Sequence, residues 1–258
     1  MPRGAVKGLR SLVSFFTSIP TGALDLDSAA RMFFAIPLVA LLEGALAFSA
    51  TAAVRYLSTP LMAAATLLAA HVAITRALHL DALADYADVV GSLRTGEEAL
   101  RVLKDPRKGA FAIVALGLYV ALFIASAESI TASVLSLRSL LGTIESVYLW
   151  SLETMYIVAA LSPPEPYSGL GRKFVEFSKD RRRIALNCVG VALAAALCFW
   201  LAGPITLVSA PASIAVALIV SRDCRKRLGF ANGDVLGASN EIARIAIMCA
   251  IAVSIRWI

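Results

Sequence analysis

The sequence predicts an all-α fold, a polytopic integral membrane helical bundle of about seven transmembrane helices with a cytoplasmic N-terminus. Composition is the first reason, because 59% of the 258 residues are hydrophobic and only 16% are charged. A soluble domain is about 45–50% apolar and about 25% charged. Mean hydropathy is +0.78. Disorder requires low hydrophobicity and high net charge. The composition therefore excludes both a disordered chain and an ordinary soluble enzyme.

Apolar runs of spanning length are the second reason, since a membrane helix requires about 20 mostly apolar residues. The six clearest runs are 32–54, 60–78, 109–127, 184–202, 204–221 and 240–258. A seventh run, 143–161, is rich in Leu, Val and aromatic residues but carries Glu145 and Glu153. The shorter segment Leu9–Pro20 lacks the pattern of a secretory signal. We expect it to form a helix near the membrane interface.

The distribution of basic residues is the third reason. With the N-terminus placed in the cytoplasm, 19 of the 24 Lys and Arg lie in cytoplasmic segments. These segments are 1–31, 79–108, 162–183 and 222–239. The opposite side carries only Arg55, Arg138 and Arg256. Enrichment of Lys and Arg on the cytoplasmic side is typical of membrane proteins, and it favours an odd number of spans.

The net charge of +6 is explained by this topology and by contact with anionic membrane lipid, so we expect no nucleic-acid partner. We predict one membrane domain, 1–258, of multi-pass type in the cell membrane. Its active site is expected on the cytoplasmic face, formed by loops 79–108, 162–183 and 222–241. A homo-oligomeric assembly is compatible with this topology.

An acidic stripe lies in the first long cytoplasmic segment, TRALHLDALADYADVVG (75–91). Asp81, Asp85 and Asp88 are spaced i, i+4 and i+7, which places them on one face of a helix. We expect this helix to continue directly from the second span. Three carboxylates on one stripe repel each other, so a cation must offset them. Mg²⁺ prefers hard oxygen ligands and often shares them with substrate phosphates, so we predict that the three aspartates bind Mg²⁺.

Two further polar residues accompany the stripe. His79 lies two residues before Asp81 and faces away from the stripe on a regular helix. It is a candidate for capping, for orienting a carboxylate or for proton transfer, and a structural role is equally compatible with its position. His71 lies within the second span and is expected to form a hydrogen bond between helices.

A basic turn, LKDPRKGAF (103–111), precedes the third span. Pro106 and Gly109 favour an irregular turn there, and cations beside exposed backbone N–H groups suit a phosphate. We therefore predict that Lys104, Asp105 and Arg107 bind substrate. The alternative interpretation is that these residues are only the positive charges that flank a membrane span on its cytoplasmic side.

A second acidic element, GFANGDVLGASNEIAR (229–244), leads into the last span. Asp234, Gly237 and Glu241 share one helix face, and glycine allows close approach of a neighbouring helix or ligand. Ionisable residues at the start of a span are functional candidates. Asp234 and Glu241 are thus predicted to complete the metal or nucleophile site, with Gly233 contacting substrate.

Acidic helices, a divalent metal and basic turns at one membrane face suit a polyphosphate substrate. The metal and the cations neutralise phosphate charge, and a carboxylate activates a hydroxyl nucleophile. The sequence contains no Walker A, GxSxG or HExxH motif. Nucleotide hydrolysis by a P-loop, serine hydrolysis and zinc proteolysis are therefore without support.

Four blocks in this order, with PYSGLG (166–171) as a weaker fifth, resemble the adenosylcobinamide-GDP ribazoletransferase family, also called cobalamin (5′-phosphate) synthase. The blocks are SFFTSIP (14–20), ALHLDALADYADVVGS (77–92), LKDPRKGAF (103–111), PYSGLG (166–171) and GFANGDVLGASNEIA (229–243). The second resembles the family's HLDGLADxxDG pattern and the last its GxTGDxLGAxxE pattern. The chain departs from the family at several Gly, Arg, Ser and Thr positions, which here are Ser18, Ala82, Val89, Pro106, Ala112, Ser168, Phe230 and Asn232.

The resemblance implies a polytopic membrane enzyme of the last stage of cobalamin biosynthesis that requires Mg²⁺. It implies transfer of adenosylcobinamide-GDP onto α-ribazole or α-ribazole 5′-phosphate, giving adenosylcobalamin or its 5′-phosphate and releasing GMP. Asp81, Asp85 and Asp88 would then bind metal and pyrophosphate, while Lys104 and Arg107 would stabilise the departing GMP. Which carboxylate serves as the general base is left open.

Two other functions remain as alternatives at this point. A CDP-alcohol phosphotransferase or a prenyltransferase also uses Asp-rich helices with Mg²⁺, although the spacing of the aspartates differs here. A transporter would place charged residues in the middle of its spans and show inverted repeats. Only Glu43, Glu153 and Arg76 are candidates for such mid-span charges.

Overall fold

The computed structural model describes residues 3–255, with every side chain among them except those of Arg3 and Leu170. It contains twelve α-helices in this range. They are α1 Arg3–Phe16, α2 Leu26–Arg31, α3 Ile36–Arg55, α4 Pro60–Thr75, α5 Leu78–Ser92, α6 Gly96–Leu103, α7 Ala110–Ser133, α8 Leu137–Leu161, α9 Leu170–Phe177, α10 Arg181–Ala202, α11 Ser209–Arg227 and α12 Gly233–Ser254. Within residues 3–255 the only β-type pairing is an isolated bridge between Pro164 and Ala231.

Two helices form the centre of the bundle. α12 packs against α5, α7, α8 and α11, while α8 also packs against α3, α10 and α11. Most side chains of both helices are buried. Large apolar side chains are exposed instead on outer helices, as expected where lipid is the solvent. These include Ile113, Leu118, Leu193, Trp200 and Ile219.

The helical stretches long and apolar enough to cross a membrane are Phe33–Arg55, Ala110–Ser133, Arg181–Arg227 and Gly233–Ser254. The third stretch contains two helices, α10 and α11, joined by a short 3-10 segment that begins at Gly203. A helix is present at each of the seven predicted runs, but α8 does not meet this criterion, and α4 meets it only together with α5, across a sharp bend. The all-helical membrane fold is therefore confirmed, whereas the count of seven spans remains a prediction. Residues 256–258, with Arg256 and the end of the predicted last span, lie outside the described residues.

The acidic helix does not continue the second span, and this expectation was wrong. α4 ends at Thr75, and α5 begins at Leu78 after a bend of 93°. Arg76 and Ala77, at the bend, both have φ of 55°, the left-handed region that a non-glycine residue seldom adopts. The Arg76 guanidinium donates to the backbone carbonyls of Ser14 and Phe15 at 3.2 Å. The bend thus turns α5 away from α4, and Arg76 ties it to α1.

Candidate active site

Lys108 links two of the three predicted aspartates on α5. Its Nζ lies 2.8 Å from Oδ1 of Asp81 and 2.5 Å from Oδ1 of Asp85. Burial alone would lower the pKa of Lys108, but the two carboxylates that accept its hydrogen bonds raise it above its usual value. The repulsion expected of the stripe is therefore offset by a lysine in this structure. Lys108 belongs to the basic turn, but its position in the sequence did not distinguish it as a site residue.

Asp88, the third predicted metal ligand, binds the start of α7. Its Oδ2 accepts from the backbone N–H of Gly109 at 2.6 Å, and its Oδ1 accepts from that of Ala112 at 3.0 Å. A carboxylate satisfies free N–H groups and complements the helix dipole at this position. A Cβ on Gly109 would lie 2.6 Å from Oδ1 of Asp88. Glycine at this position therefore allows the acidic helix and the basic turn to come into contact.

The start of α12 brings Asp234 to the same region. Asn232 caps the helix by accepting from the N–H of Val235 at 3.1 Å, and its side-chain amide donates to Asp234 at 2.9 Å. Asn232 is one of the departures from the family pattern, and it supplies the side-chain oxygen that an N-cap requires. A Cβ on Gly237 would lie 2.6 Å from the Cβ of Ala82. The prediction that Gly237 allows close helix approach is confirmed.

Glu165 adds a carboxylate that was not predicted from the sequence. It lies in the loop between α8 and α9, where its Oε1 accepts from the backbone N–H of Arg172 at 3.1 Å. Burial raises the pKa of Glu165, and the carboxylate of Asp234 adds to this effect. The neighbouring bridge pairs Pro164 with Ala231, just before α12. The only sequence signal for Glu165 was its position beside the PYSGLG block.

A cavity of about 340 Å³ lies where α1, α5, α9 and α12 meet. One part of its lining is aromatic and consists of Phe15, Phe16, Phe33 and Phe174. The other part is polar and consists of His79, Asp81, Glu165, Asn232, Gly233 and Asp234. The cavity thus combines carboxylates from three segments that are far apart in sequence with an apolar wall.

His79 connects this cavity to a buried polar network. Its Nδ1 lies 2.7 Å from Nδ2 of Asn240, which also donates to Oε1 of Glu241 at 3.1 Å. Oδ1 of Asn240 accepts from Arg244 at 3.3 Å. These partners fix the orientation of the amide, so Nδ1 of His79 accepts, and the neutral ring carries its proton on Nε2. Nε2 has no hydrogen-bond partner among the described residues.

Glu241 lies deeper than predicted and does not line the cavity. It is fully buried. Tyr119 donates to its Oε2 at 2.5 Å, Arg244 donates to the same atom at 3.3 Å, and Nε2 of His71 lies 3.3 Å away. Buried charges require such partners. Glu241 therefore neutralises Arg244 within α12, while Tyr119 of α7 and His71 of α4 approach it from neighbouring helices. The hydrogen bond expected of His71 is not formed, because neither of its ring nitrogens has a hydrogen-bond partner among the described residues.

The basic turn also differs from expectation. Arg107 is mostly exposed and binds its neighbour Asp105 through Nε at 3.1 Å and Nη2 at 3.0 Å. The Arg107 side chain lowers the pKa of Asp105 to about 2. Nζ of Lys104 lies 5.1 Å from the centroid of the Tyr167 ring. None of the three lines the cavity, so Lys108 is the residue of this turn that reaches the aspartates.

The structure therefore divides the predicted site residues into two groups. His79, Asp81, Gly233 and Asp234 line the cavity, and Asp85 is joined to Asp81 through Lys108. The residues that lie elsewhere are Asp88, Lys104, Asp105, Arg107 and Glu241. Among residues 3–255, no cluster of three or more His, Cys, Asp or Glu side chains has the arrangement of a metal site. Two of the three predicted Mg²⁺ ligands, Asp81 and Asp85, thus converge on Lys108 in this structure.

The fold and the site define a helical membrane protein with a cluster of carboxylates and a lysine beside a partly aromatic cavity. Residues 8–252 match the cobalamin-5-phosphate synthase family, and the chain belongs to that family. It is thus an enzyme, a transferase of cobalamin biosynthesis. Relatives named adenosylcobinamide-GDP ribazoletransferase occur in Pyrobaculum calidifontis, 37% identical over 92% of this chain and 95% of the relative, and in Syntrophobacter fumaroxidans, 35% identical over 92% of each.

A third relative of that name, from Pseudomonas aeruginosa, is 32% identical over 97% of this chain and 99% of its own length. No solved structure matches the chain. Membership of this family favours the ribazoletransferase function over the alternative membrane transferases and over a transporter.

Proposed function

We propose that this protein joins adenosylcobinamide-GDP to α-ribazole or α-ribazole 5′-phosphate, giving adenosylcobalamin or its 5′-phosphate and GMP. A ribose hydroxyl attacks the phosphorus next to the cobinamide. The bond from that phosphorus to the oxygen shared with GMP breaks, and GMP departs with this oxygen. The observation that carries the assignment is the convergence of Asp81, Asp85 and Lys108 beside a cavity that Asp234 also lines. The match of residues 8–252 to the family supports the same assignment.

Mg²⁺ is the metal that we propose for this site. The fit rests on Asp81 and Asp85, two neighbouring carboxylates on one face of α5. A metal held by them would share them with Lys108, whose Nζ contacts both. One or two carboxylates plus substrate phosphates are the usual ligands of Mg²⁺. When bound there, the metal would neutralise pyrophosphate charge. Asp88 has both oxygens bound to backbone N–H groups, so we assign it the role of positioning α7.

The proton of the attacking hydroxyl passes to a carboxylate at the cavity. Asp81, Glu165 and Asp234 all line it, so a hydroxyl inside the cavity has an acceptor within reach. Lys108 lies beside Asp81 and is placed to meet the charge that develops on the phosphate oxygens. Lys104 and Arg107 are exposed cations near the same turn, and we retain for them the predicted contact with the departing GMP.

We further propose that the protein lies in the cell membrane with seven spans, an internal N-terminus and this site facing the cytoplasm. The supporting observation is that the cavity lies among segments assigned to the cytoplasm by their Lys and Arg content. The exposed apolar faces of α7, α10 and α11 would contact membrane lipid. Homo-oligomerisation remains a prediction from the sequence.

A turnover assay tests the proposed function. Purified protein in lipid nanodiscs is supplied with adenosylcobinamide-GDP and α-ribazole, in Mg²⁺ or in excess chelator, and GMP and cobalamin are separated by chromatography. We expect equal amounts of both products, with formation abolished by the chelator. Absence of product with either α-ribazole or its 5′-phosphate, from protein that remains folded, would refute the proposal. Product formation in chelator would refute the Mg²⁺ assignment alone.

A further inference from the structure

The cavity has an aromatic wall that the proposed phosphate chemistry does not use. Phe15 stacks on Phe174 with ring centroids 5.2 Å apart and 26° between the planes. Phe33 meets the same ring edge-on, with centroids 5.1 Å apart. Phe16, Phe33 and Phe174 are almost fully buried, whereas Phe15 is only partly buried. Aromatic rings favour such stacked and edge-to-face contacts with other rings, so this wall suits a flat aromatic ligand.

The size of the cavity restricts the ligand. Its volume of about 340 Å³ lies at the lower end of the roughly 300–1,000 Å³ that ligand pockets usually have. A corrinoid nucleotide is far larger than this space. A small nucleoside, with one bicyclic base and one sugar, is of suitable size. Of the two substrates of the proposed reaction, the nucleoside is therefore the one that fits inside.

The polar lining also favours the nucleoside. Asp81, Glu165 and Asp234 are acidic, and no Lys or Arg lines the cavity among the described residues. Glu165 and Asp234, to which no metal is assigned, accept hydrogen bonds from sugar hydroxyls but repel a pyrophosphate. His79 is buried, lines the cavity and has an unpartnered Nε2. In the tautomer set by Asn240 this atom is a donor, which complements a ring nitrogen of an aromatic base that accepts a hydrogen bond.

We propose that this cavity binds the nucleoside substrate, with its aromatic base against Phe15, Phe16, Phe33 and Phe174 and its sugar towards Asp81 and Asp234. The inference rests on the proposed function, which supplies the nucleoside. It places the ribose hydroxyl at the carboxylates, of which Asp81 contacts Lys108. The larger substrate then approaches from outside, through the side where Asp81, Asp85 and Lys108 lie.

Equilibrium binding of α-ribazole alone tests the proposal without requiring turnover. Wild-type protein in nanodiscs is titrated calorimetrically with α-ribazole and compared with Phe15→Leu and His79→Ala. Phe199→Leu is the matched control, because Phe199 is exposed on α10 and does not line the cavity. One aromatic contact is worth about 0.5–1.5 kcal/mol. We therefore expect the Kd to rise roughly 2- to 12-fold in Phe15→Leu, with no change in Phe199→Leu.

His79 requires a variant that separates hydrogen bonding from packing. His79→Gln retains an amide N–H donor at a reach similar to that of Nε2, so this variant should bind α-ribazole more tightly than His79→Ala.

In the turnover assay, Phe15→Leu should raise the KM for α-ribazole and leave the KM for adenosylcobinamide-GDP unchanged. An unchanged α-ribazole Kd in both Phe15→Leu and His79→Ala would overturn the proposal, as would an effect confined to the KM for adenosylcobinamide-GDP. If the wild-type protein binds α-ribazole as expected but forms no product, the proposed reaction is refuted, whereas the proposal that the cavity binds the nucleoside is supported.

Discussion

Asn240 on α12 donates a hydrogen bond of 2.7 Å to Nδ1 of His79 on α5. Arg244 and Glu241 hold the Asn240 amide in this orientation. The contact joins a membrane helix to a side chain of the cavity lining, and it leaves Nε2 of His79 as the protonated nitrogen of the neutral ring. A polar network inside the bundle thereby sets the hydrogen-bonding character of the site.

Replacing Asn240 with Ala should reverse the tautomer of His79. Without the amide, Oε1 of Glu241, which lies 3.7 Å from Nδ1, becomes the nearest acceptor and favours a proton on Nδ1. The chain contains two histidines, so ¹⁵N-histidine labelling and solid-state NMR in lipid bilayers resolve His79 with His71 as an internal reference. We expect the wild-type ring to show a protonated Nε2 and the variant ring a protonated Nδ1. An identical ¹⁵N pattern for His79 in both proteins would contradict this role of Asn240.

Lys108 should be essential for turnover, because it is the cation that Asp81 and Asp85 share. Lys108→Met leaves two close carboxylates without their partner and removes a positive charge near the reacting phosphate. Loss of one such preorganised group costs about 10²–10³-fold in kcat, and we expect a loss in that range by the chromatographic assay. Lys226→Met, at an exposed lysine on α11, is the matched control and should retain wild-type turnover. Equal activity of the two variants would show that Lys108 has no part in the reaction.

Gly109 should be required for the contact between α5 and α7. An alanine Cβ there would lie 2.6 Å from Oδ1 of Asp88, and relieving such overpacking costs about 1–3 kcal/mol. A Cβ added to Gly117 on α7 would have no neighbouring atom within 4 Å, so Ala there should stabilise by roughly 0.5–1 kcal/mol through helix propensity. Thermal unfolding in detergent should give a lower midpoint for Gly109→Ala and a midpoint at or above wild type for Gly117→Ala. Similar midpoints for both variants would contradict the predicted contact.

Glu165 should make stability depend on pH. Its pKa is raised in the folded protein by burial, so the folded state binds the proton more tightly than the unfolded chain does. The contribution of Glu165 to stability is then highest below the ordinary value of 4.5, and it falls as pH rises through the interval between that value and the raised one. Glu165→Gln removes this dependence. We expect its unfolding midpoint to exceed that of wild type at pH 7 and the difference to shrink towards pH 4. A difference that stays constant across this range would contradict the raised pKa.

The membrane class and the acidic elements were predictable from the sequence because they depend on local patterns. Apolar runs indicated the helices, and the i, i+4, i+7 spacing placed three aspartates on one face of α5. The bend before α5 was not predictable, since Arg76 and Ala77 carry no turn signal and adopt left-handed backbone through tertiary contacts. The helical pattern of apolar residues in the sequence continues across Arg76 and Ala77, so it does not indicate the bend.

The sequence also did not predict which side chains of the site contact one another. Lys104, Arg107 and Lys108 are three cations in one short turn, and only the packing of α7 on α5 shows that Lys108 reaches Asp81 and Asp85. Glu241 was correctly placed on the face of α12 that carries Gly237, but its partners Tyr119 and His71 come from other helices. The aromatic lining likewise joins residues from α1 and α9 with Phe33. Long-range contacts of this kind leave no periodic signal.

Turnover of Asp85→Asn is the most direct measurement of whether the Asp81, Asp85 and Lys108 cluster performs the transfer. The substitution keeps side-chain size and removes the charge that faces Lys108. Glu98→Gln, at an exposed carboxylate in the first turn of α6, is the matched control. With adenosylcobinamide-GDP, α-ribazole and Mg²⁺ in nanodiscs, we predict full turnover in Glu98→Gln and a loss of about 10²-fold or more in Asp85→Asn. Full Mg²⁺-dependent turnover in Asp85→Asn would contradict the assignment of the active site to this cluster.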